Sequence, residues 1–291
     1  MMSKSVKTIY ICSKCDAQFP KWQGRCTECG AWSTLGQKVV AKRKRGLDIP
    51  VQAGSLETLA EVSVKKEDRI KSSIFEFDRV VGGGLVAGSL VLLGGDPGIG
   101  KSTLILQVGG KLAERGHQVL YISGEESSSQ VKIRFLRLGL NTKNLKFLGE
   151  TDLDTMLATI ETHKPKLVIL DSIQTVYSQE VDSPAGSVGQ VRAATAKLVE
   201  VAKKNKITIV IIGHVTKKGN VAGPRTLEHL VDVVLYLEGD RSHIFRVLRG
   251  AKNRFGSTSE VGVFDMQKGC LLYTSDAADE LDGVDLGGRR I

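Results

Sequence analysis

A glycine-rich segment of nine residues constrains the fold of this chain more than any other feature of its sequence. It fits the pattern G-x4-G-K-[ST] and consists of Gly95, Asp96, Pro97, Gly98, Ile99, Gly100, Lys101, Ser102 and Thr103. An apolar run at residues 89–94, typical of a buried strand, precedes it, and a helical pattern at 102–115 overlaps its end. In that setting backbone N–H groups curl around phosphate oxygens at a helix N-terminus. The segment therefore predicts a nucleotide-phosphate site.

Two further interactions complete the predicted site. Lys101 is expected to reach the β- and γ-phosphates of ATP, and the Ser102 hydroxyl is expected to ligate Mg²⁺. A magnesium site also needs an acidic anchor at the end of a neighbouring strand, and Asp171 directly follows the apolar run at residues 167–170. An acid after a strand caps a helix as often as it binds a metal, but the phosphate loop favours the metal role.

Hydrolysis of ATP also needs a carboxylate that orients or deprotonates water. Glu125 and Glu126 follow a strand pattern at residues 119–123. We expect Glu125 to be this base, with Glu126 as the alternative; either could instead start the next helix. His214 follows the apolar run at 207–213, where a histidine either senses the γ-phosphate or forms an ordinary hydrogen-bonded turn.

Strand and helix patterns alternate through the middle of the chain. Strands are predicted at residues 119–123, 145–148, 167–170 and 207–213, and helices at 153–163 and 189–205. This alternation is typical of a parallel sheet that is covered on both faces. We therefore expect one α/β domain of about 200 residues.

Four of the five cysteines lie near the N-terminus in the pattern C-x2-C-x10-C-x2-C, as Cys12, Cys15, Cys26 and Cys29. Two such knuckles can close a tetrahedral, structural site around one Zn²⁺ ion. The alternative, two disulfides, fits poorly with a chain that lacks a signal peptide. With few apolar residues nearby, this segment is expected to depend on zinc for its fold.

Charge is concentrated in the same region. Residues 1–45 carry ten basic and two acidic side chains, while the whole chain has a net charge of +9. Together with Trp22 and Trp32, this charge predicts either a nucleic-acid contact surface or a partner-docking module with a solvated basic face. No apolar stretch approaches the length of a membrane span. We therefore expect a cytoplasmic location and no membrane partner.

Polar loops and a cation cluster lie beyond the phosphate site. The loops at residues 178–189 and 216–225 contain glycines, and the second carries Lys217, Lys218 and Arg225. If they line a pore, such loops would hold a nucleic-acid backbone. Arg249, Lys252 and Arg254 surround a glycine-flanked turn, which predicts a surface anion site or, in an oligomer, arginine fingers.

The motifs together resemble the RadA (Sms) family of bacterial DNA repair proteins, which are RecA-like ATPases. The resemblance is carried by the four cysteines, the phosphate loop, Ser123-Gly-Glu-Glu-Ser127, Leu170-Asp-Ser-Ile-Gln174 and Lys252-Asn-Arg-Phe-Gly256. It extends to about Gly269. The last motif is a hallmark of that family.

The resemblance implies a RecA-like ATPase core behind a small zinc module, in a ring-forming motor that drives branch migration. It implies single-stranded and branched DNA and the RecA recombinase as partners, and a homohexamer for the full-length family. Lys252 and Arg254 would then contact the nucleotide of a neighbouring subunit. The alternatives are a nucleotide-gated DNA-binding module with slow hydrolysis and a KaiC-like phosphotransferase.

The expected organisation is a zinc module and basic segment at residues 1–45, a linker at 46–66 and the ATPase domain at 67–269. Residues 270–291 stand where the family has a domain resembling the Lon protease domain. They resemble translated adaptor DNA, so we expect a non-native tail; the alternative is a genuine divergent tail.

Overall fold

The computed structural model describes residues 6–15, 17–19, 21–41, 69–214, 226–239, 244–267 and 270–273. The chain divides into two compact units, residues 1–66 and residues 67–291. The expected linker at 46–66 and the loop at 216–225 lie outside the described residues. Among the helices that are described, none combines the length and apolar content that crossing a membrane requires.

The described part of the first unit is a small antiparallel sheet beside four cysteines. Its strands are β1 (Val6–Cys12), β2 (Gln18–Phe19) and β3 (Leu35–Ala41), in the order β2-β1-β3. Of its described side chains, Cys12 and Cys26 are the buried ones. Two thiols bury too little apolar surface to stabilise a fold of this size, so the unit depends on what its sulfur atoms bind.

The described part of the second unit contains a two-stranded ribbon, a large sheet and five α-helices. The ribbon pairs β4 (Arg69–Ile70) with β5 (Leu85–Val86). The large sheet consists of β6 (Leu90–Gly95), β7 (Val119–Ser123), β8 (Leu145–Gly149), β9 (Leu167–Asp171), β10 (Thr208–Ile212), β11 (Val233–Glu238), β12 (Phe245–Asn253), β13 (Val261–Gln267) and β14 (Cys270–Tyr273). The helices are α1 (Phe75–Val80), α2 (Lys101–Glu114), α3 (Ser128–Arg137), α4 (Leu153–His163) and α5 (Val188–Asn205).

The nine strands of the large sheet lie in the order β14-β13-β12-β11-β6-β10-β9-β7-β8. The six strands from β11 to β8 are parallel, and β12, β13 and β14 add an antiparallel extension at one side. Because parallel strands all end at one edge, the loops that follow β6, β7, β9 and β10 meet there. This edge holds Lys101, Glu125, Asp171 and His214.

Two apolar clusters cover the two faces of this sheet. Along β6, Val91 and Leu93 belong to the first cluster, and Leu90 and Leu92 belong to the second. Helix α2 contributes to the first cluster, whereas α4 and α5 contribute to the second. The predicted α/β fold with a mostly parallel sheet between two layers is therefore confirmed.

The antiparallel extension was not expected from the sequence. Strand β14 pairs with β13, with Tyr273 opposite Phe264, so the first four residues of the expected tail continue the sheet of the ATPase unit. Residues 274–291 lie outside the described residues. Strand β12 escaped prediction because its residues, FRVLRGAKN, combine basic and apolar side chains without the continuous apolar run of the parallel strands.

Candidate active site and metal centre

The phosphate loop lies at the edge where the parallel strands end. Gly95, Gly98 and Gly100 have φ angles of 147°, 78° and 115°, which L side chains rarely adopt. A β-carbon at Gly95 would overlap the carbonyl oxygen of Leu237 on β11. No side chain caps the N-terminus of α2, so its first N–H groups remain available to an anion. The loop has the geometry of a phosphate cradle.

Lys101 lies across this cradle. Its side chain is buried, and Nζ donates hydrogen bonds to the carbonyl oxygens of Gly95 and Asp96, each at 2.9 Å. Burial lowers the pKa of Lys101, while the nearby carboxylates of Asp171, Asp96 and Glu125 act to raise it. A buried ammonium group held only by backbone carbonyls can exchange those acceptors for phosphate oxygens.

Ser102 and Asp171, the predicted magnesium pair, are brought together. The Ser102 hydroxyl hydrogen-bonds the Asp171 carboxylate, and Tyr121 Oη donates to Asp171 Oδ2 at 2.6 Å. Burial raises the pKa of Asp171, and these two hydrogen bonds partly offset that rise. A hydroxyl and a carboxylate beside the phosphate cradle are oxygen ligands of the kind Mg²⁺ prefers, so these residues fit that ion.

Tyr121 is a functional residue that sequence reasoning missed. It lies in the middle of β7, fully buried, and burial beside Asp171 raises its pKa. The sequence signal for it was a tyrosine flanked by apolar residues in the strand VLYIS. A buried phenol usually needs a hydrogen-bond partner, so such a tyrosine indicates a polar contact. Its role is to orient the carboxylate of Asp171.

Glu125 faces the open side of the site. Its Oε1 accepts a hydrogen bond from the Ser172 hydroxyl and lies 3.7 Å from Nε2 of His214. The contact with His214 is the main factor that lowers the pKa of Glu125, with burial opposing it and Ser172 assisting. His214 Nδ1 is buried and has no hydrogen-bond partner among the described residues. The predicted base and the predicted sensor histidine are therefore in contact.

Glu126 has a different environment. Its two carboxylate oxygens accept hydrogen bonds from Arg134 on α3, at 2.6 and 2.7 Å. The Ser123 hydroxyl accepts hydrogen bonds from the backbone N–H groups of both glutamates, which fixes the turn after β7. Because Arg134 already binds both carboxylate oxygens of Glu126, the carboxylate of Glu125 is better placed to contact water.

The three cations near the Lys-Asn-Arg-Phe-Gly motif have separate partners. Arg249 pairs with Glu238, at 3.4 Å, and Arg254 pairs with Asp232, at 3.1 Å. Lys252 donates hydrogen bonds to two backbone carbonyls of the 226–231 segment. Each of the three cations therefore already has its own partner within the chain, and the predicted surface anion site stays a prediction.

Lys252 and Arg254 also lie far from the phosphate loop of their own chain. In the sheet register Asn253 is opposite Val233, which pairs with Val91 near the start of β6, whereas the phosphate loop follows the end of β6. Four residues of strand separate Val91 from Gly95, or about 13 Å. The two cations therefore lie at the opposite edge of the sheet from the loop.

Two buried charged residues make hydrogen bonds between distant parts of the ATPase unit. Arg246 on β12 is buried and donates a hydrogen bond from Nε to the carbonyl oxygen of Ile99 in the phosphate loop, at 3.1 Å. Asp232 accepts a hydrogen bond from the backbone N–H of Leu90. Neither was found from the sequence, because each interaction joins residues more than 140 positions apart.

One of the two predicted DNA loops is described and is well ordered by hydrogen bonds. The buried side chain of Gln190 bonds the backbone of Ser178, Val181 and Ser183. Ser187 caps α5 through the backbone N–H of Gln190. This loop therefore holds a defined shape. The loop at 216–225, with Lys217, Lys218 and Arg225, lies outside the described residues.

The four predicted zinc ligands converge in the first unit. Cys12, Cys15, Cys26 and Cys29 place their sulfur atoms within 4.8 Å of one another. The Cys12–Cys29 and Cys15–Cys26 sulfur distances are 3.7 and 3.5 Å, far beyond a disulfide bond of about 2.05 Å. A tetrahedral zinc site with bonds of about 2.3 Å has sulfurs about 3.8 Å apart. The residues therefore fit Zn²⁺.

Hydrogen bonds around Cys12 favour a thiolate. Burial alone would raise its pKa, but bonds from the Thr34 hydroxyl and the backbone N–H groups of Lys14 and Cys15 lower the pKa to about 6. Burial and the neighbouring thiols raise the pKa of Cys15. Four sulfurs in so small a volume cannot all be charged without a cation among them, which is the environment that a metal ion stabilises.

Comparison with known proteins agrees with these two sites. The sequence model of the AAA domain family matches residues 56–220, which is more than half of the chain. The chain belongs to this AAA domain family. A second family, described as a rubredoxin metal binding domain, matches residues 10–37 and includes all four cysteines of the metal centre.

The curated relatives of this AAA domain chain include the DNA repair protein RadA of Bacillus subtilis. That protein is 49% identical over 267 residues, which cover 90% of this chain and 58% of the relative. RadA of Pseudomonas aeruginosa is 49% identical over 263 residues, which cover 89% and 58%. The predicted resemblance to the RadA family is therefore confirmed. The chain spans about three fifths of the length of these relatives.

Solved structures agree on the fold. The RadB recombinase matches with a TM-score of 0.55 and 21% identity, over 70% of this chain and 99% of that one. A KaiC-like protein from Pyrococcus horikoshii matches with a TM-score of 0.58 and 20% identity, over 70% and 98%. The AAA domain is therefore a RecA-like P-loop ATPase core. Its cofactors are ATP and Mg²⁺, with Zn²⁺ in the first unit.

Proposed function

We propose that this chain is the ATP-hydrolysing part of a DNA-dependent motor of recombinational repair. The observation that carries the proposal is the convergence of Lys101, the Ser102–Asp171 pair and Glu125 at one edge of the sheet. Relatives named for DNA repair, at 49% identity, support the choice of DNA as the polymer.

In the proposed reaction the chain positions ATP and water and supplies charge. The N–H groups of the loop and Lys101 bind the phosphate oxygens and stabilise the charge that develops on them. Mg²⁺ held by Ser102 and Asp171 would neutralise charge on the same oxygens. Glu125, ionised at neutral pH because its pKa is lowered, accepts a hydrogen bond from water and orients it toward the γ-phosphorus. ADP is the leaving group.

His214 is the proposed link between this chemistry and DNA. It contacts Glu125 and directly precedes the segment at residues 215–225, which carries three basic side chains. DNA bound by that segment would move His214 and thereby reorient Glu125. Branch migration, a RecA partner and a homohexamer remain proposals based on the resemblance to RadA.

The test is ATP turnover with and without single-stranded DNA, in wild type and in Lys101→Ala. We expect DNA to stimulate the wild type, and we expect the variant to show almost no turnover under either condition. Equal turnover in all four samples would reject the proposal, because activity would then depend neither on the phosphate loop nor on DNA.

A second candidate is a nucleotide-gated DNA-binding module with slow hydrolysis. The positions of Lys252 and Arg254 favour it for a single chain, because neither of these two cations lies near the chain's own phosphate loop. ATP-dependent DNA affinity with negligible turnover would select this candidate. A KaiC-like phosphotransferase, consistent with the fold likeness, would instead transfer label from γ-labelled ATP to protein.

A further inference from the structure

The zinc module presents two tryptophans to solvent. Trp22 and Trp32 expose 62% and 71% of their surface, and they are the only two tryptophans of the chain. Aromatic rings of this size are normally buried, because each removes a large apolar area from water. Two of them exposed on a unit with almost no apolar core indicate a binding surface rather than a packing defect.

The two rings converge over one glycine. A β-carbon at Gly24 would lie 3.9 Å from Cη2 of Trp22 and 3.9 Å from Cζ3 of Trp32, so these ring atoms are no more than about 8 Å apart. Base stacking requires about 3.4 Å on each side of a flat ring, as in the helical rise of DNA. A separation of up to about 8 Å between these two ring atoms therefore leaves room for at most one nucleobase between the rings.

A cation is held beside one of these two rings. The guanidinium of Arg25 lies over the ring of Trp32, at 5.8 Å from the centroid, and its Nε donates a hydrogen bond to the Gly30 carbonyl oxygen at 3.1 Å. Lys21, also exposed, directly precedes Trp22 in the sequence. Stacked aromatic rings beside fixed positive charge recognise single-stranded nucleic acid, whose bases stack and whose phosphates pair with cations.

We propose that Trp22, Trp32 and Arg25 form a stacking platform for the bases of single-stranded DNA. The charge of the region favours this occupant over a protein partner, because residues 1–45 carry ten basic side chains against two acidic ones. Among the residues of the unit whose side chains are described, these two rings are the only large apolar groups that are exposed. The proposal rests on DNA as the polymer, but it is independent of ATP hydrolysis.

The first experiment uses the intrinsic fluorescence of the zinc-loaded full chain without nucleotide. Both fluorophores belong to the platform, so a thymidine oligomer of about 20 nucleotides should quench the emission. An abasic oligomer of equal length and charge should not quench it, and a duplex should quench it much less. No quenching by the thymidine oligomer, or equal quenching by the abasic one, overturns the proposal in favour of charge alone or a protein partner.

The second experiment measures binding of a labelled thymidine oligomer by anisotropy. Trp22→Ala and Trp32→Ala should each weaken binding about tenfold, within the range expected for loss of one stacked base. The aromatic variants Trp22→Phe and Trp32→Phe should retain most of the affinity, and zinc content checks the fold. Phe75→Ala is the matched control, since Phe75 is an exposed ring beside Arg79 in the other unit.

Equal affinity of wild type and the two alanine variants would overturn the platform. Because Lys101→Ala should bind the oligomer through the platform as well as wild type does, its inclusion separates this proposal from the proposed ATPase. Loss of turnover with retained quenching in Lys101→Ala supports both proposals. A wild-type protein that hydrolyses ATP but is not quenched by the oligomer supports only the motor.

Discussion

Glu125 and Glu126 offer a matched test of which carboxylate acts on water. Glutamine at position 125 keeps an oxygen that can accept the Ser172 hydrogen bond, but it removes the charge that His214 and Ser172 stabilise. Loss of a general base costs about 10² to 10⁴ in rate, or about 3 to 5 kcal/mol of activation free energy. We therefore expect Glu125→Gln to lower kcat by that factor and to leave ATP binding nearly unchanged.

The neighbouring substitution should affect stability instead. Glu126→Gln breaks a bidentate pair with Arg134, in which the side chains are only 28% and 18% exposed. Leaving such a group without its partner costs about 1 to 3 kcal/mol, which lowers Tm by several degrees in a domain of this size. Its kcat should stay within a few-fold of wild type.

Single-turnover hydrolysis with saturating ATP, together with fluorescent-nucleotide binding, measures both variants. Differential scanning calorimetry supplies the stability change. If Glu126→Gln lost more turnover than Glu125→Gln, the assignment of Glu125 would be refuted, and the Arg134 pair would have to open during the reaction.

Three other perturbations have distinct expected outcomes. Asp171→Asn should abolish hydrolysis yet raise the Tm of the nucleotide-free protein at pH 7, because burial raises the pKa of Asp171 and makes its charge unfavourable. Calorimetry should show this gain fading as pH falls through the raised pKa of the wild-type carboxyl, which then becomes protonated, and a lower Tm at pH 7 would contradict it. Chelation of zinc should unfold the first unit and thereby lower the anisotropy of the tryptophan emission, since zinc supplies about 10 to 16 kcal/mol to such modules, while circular dichroism still reports a folded ATPase unit. Loss of both units together would be inconsistent with their independence. Arg254→Gln should reduce turnover about 10³-fold and lower Tm by a few degrees, because Arg254 is half exposed but its partner Asp232 is buried and loses a charged partner. Mixing this variant with Lys101→Ala should restore activity if the arginine acts on a neighbouring subunit.

Local sequence patterns were enough to predict the phosphate loop and the four cysteines. In each case the chemistry lies within a few residues of chain, and the predicted strands at residues 119–123 and 167–170 agree with β7 and β9 within one residue. Helix α4 has the predicted bounds, Leu153–His163. These elements combine continuous apolar runs with clear turn signals, so local preference and burial act together.

Interactions between distant residues could not be predicted in this way. The choice between Glu125 and Glu126 depends on Arg134. This residue lies on α3, a helix whose bounds were not predicted. The position of Arg254 depends on the antiparallel direction of β12, which is set by its pairing with β11 and not by its own residues. Arg246 is likewise connected to the phosphate loop only through the folded sheet.

The separation of Arg254 from the phosphate loop has a consequence for symmetry. A two-fold dimer brings like surfaces together, so it cannot place the arginine of each copy at the nucleotide of the other unless both edges meet at one interface. In a head-to-tail arrangement, the Arg254 of each copy lies at the nucleotide of the next copy. Such an arrangement closes into a ring or continues as a filament, in which only the end copies lack a neighbour. If Arg254 acts on a neighbour, turnover per chain should therefore rise with protein concentration, and a dilute solution of single chains should bind ATP while hydrolysing little of it.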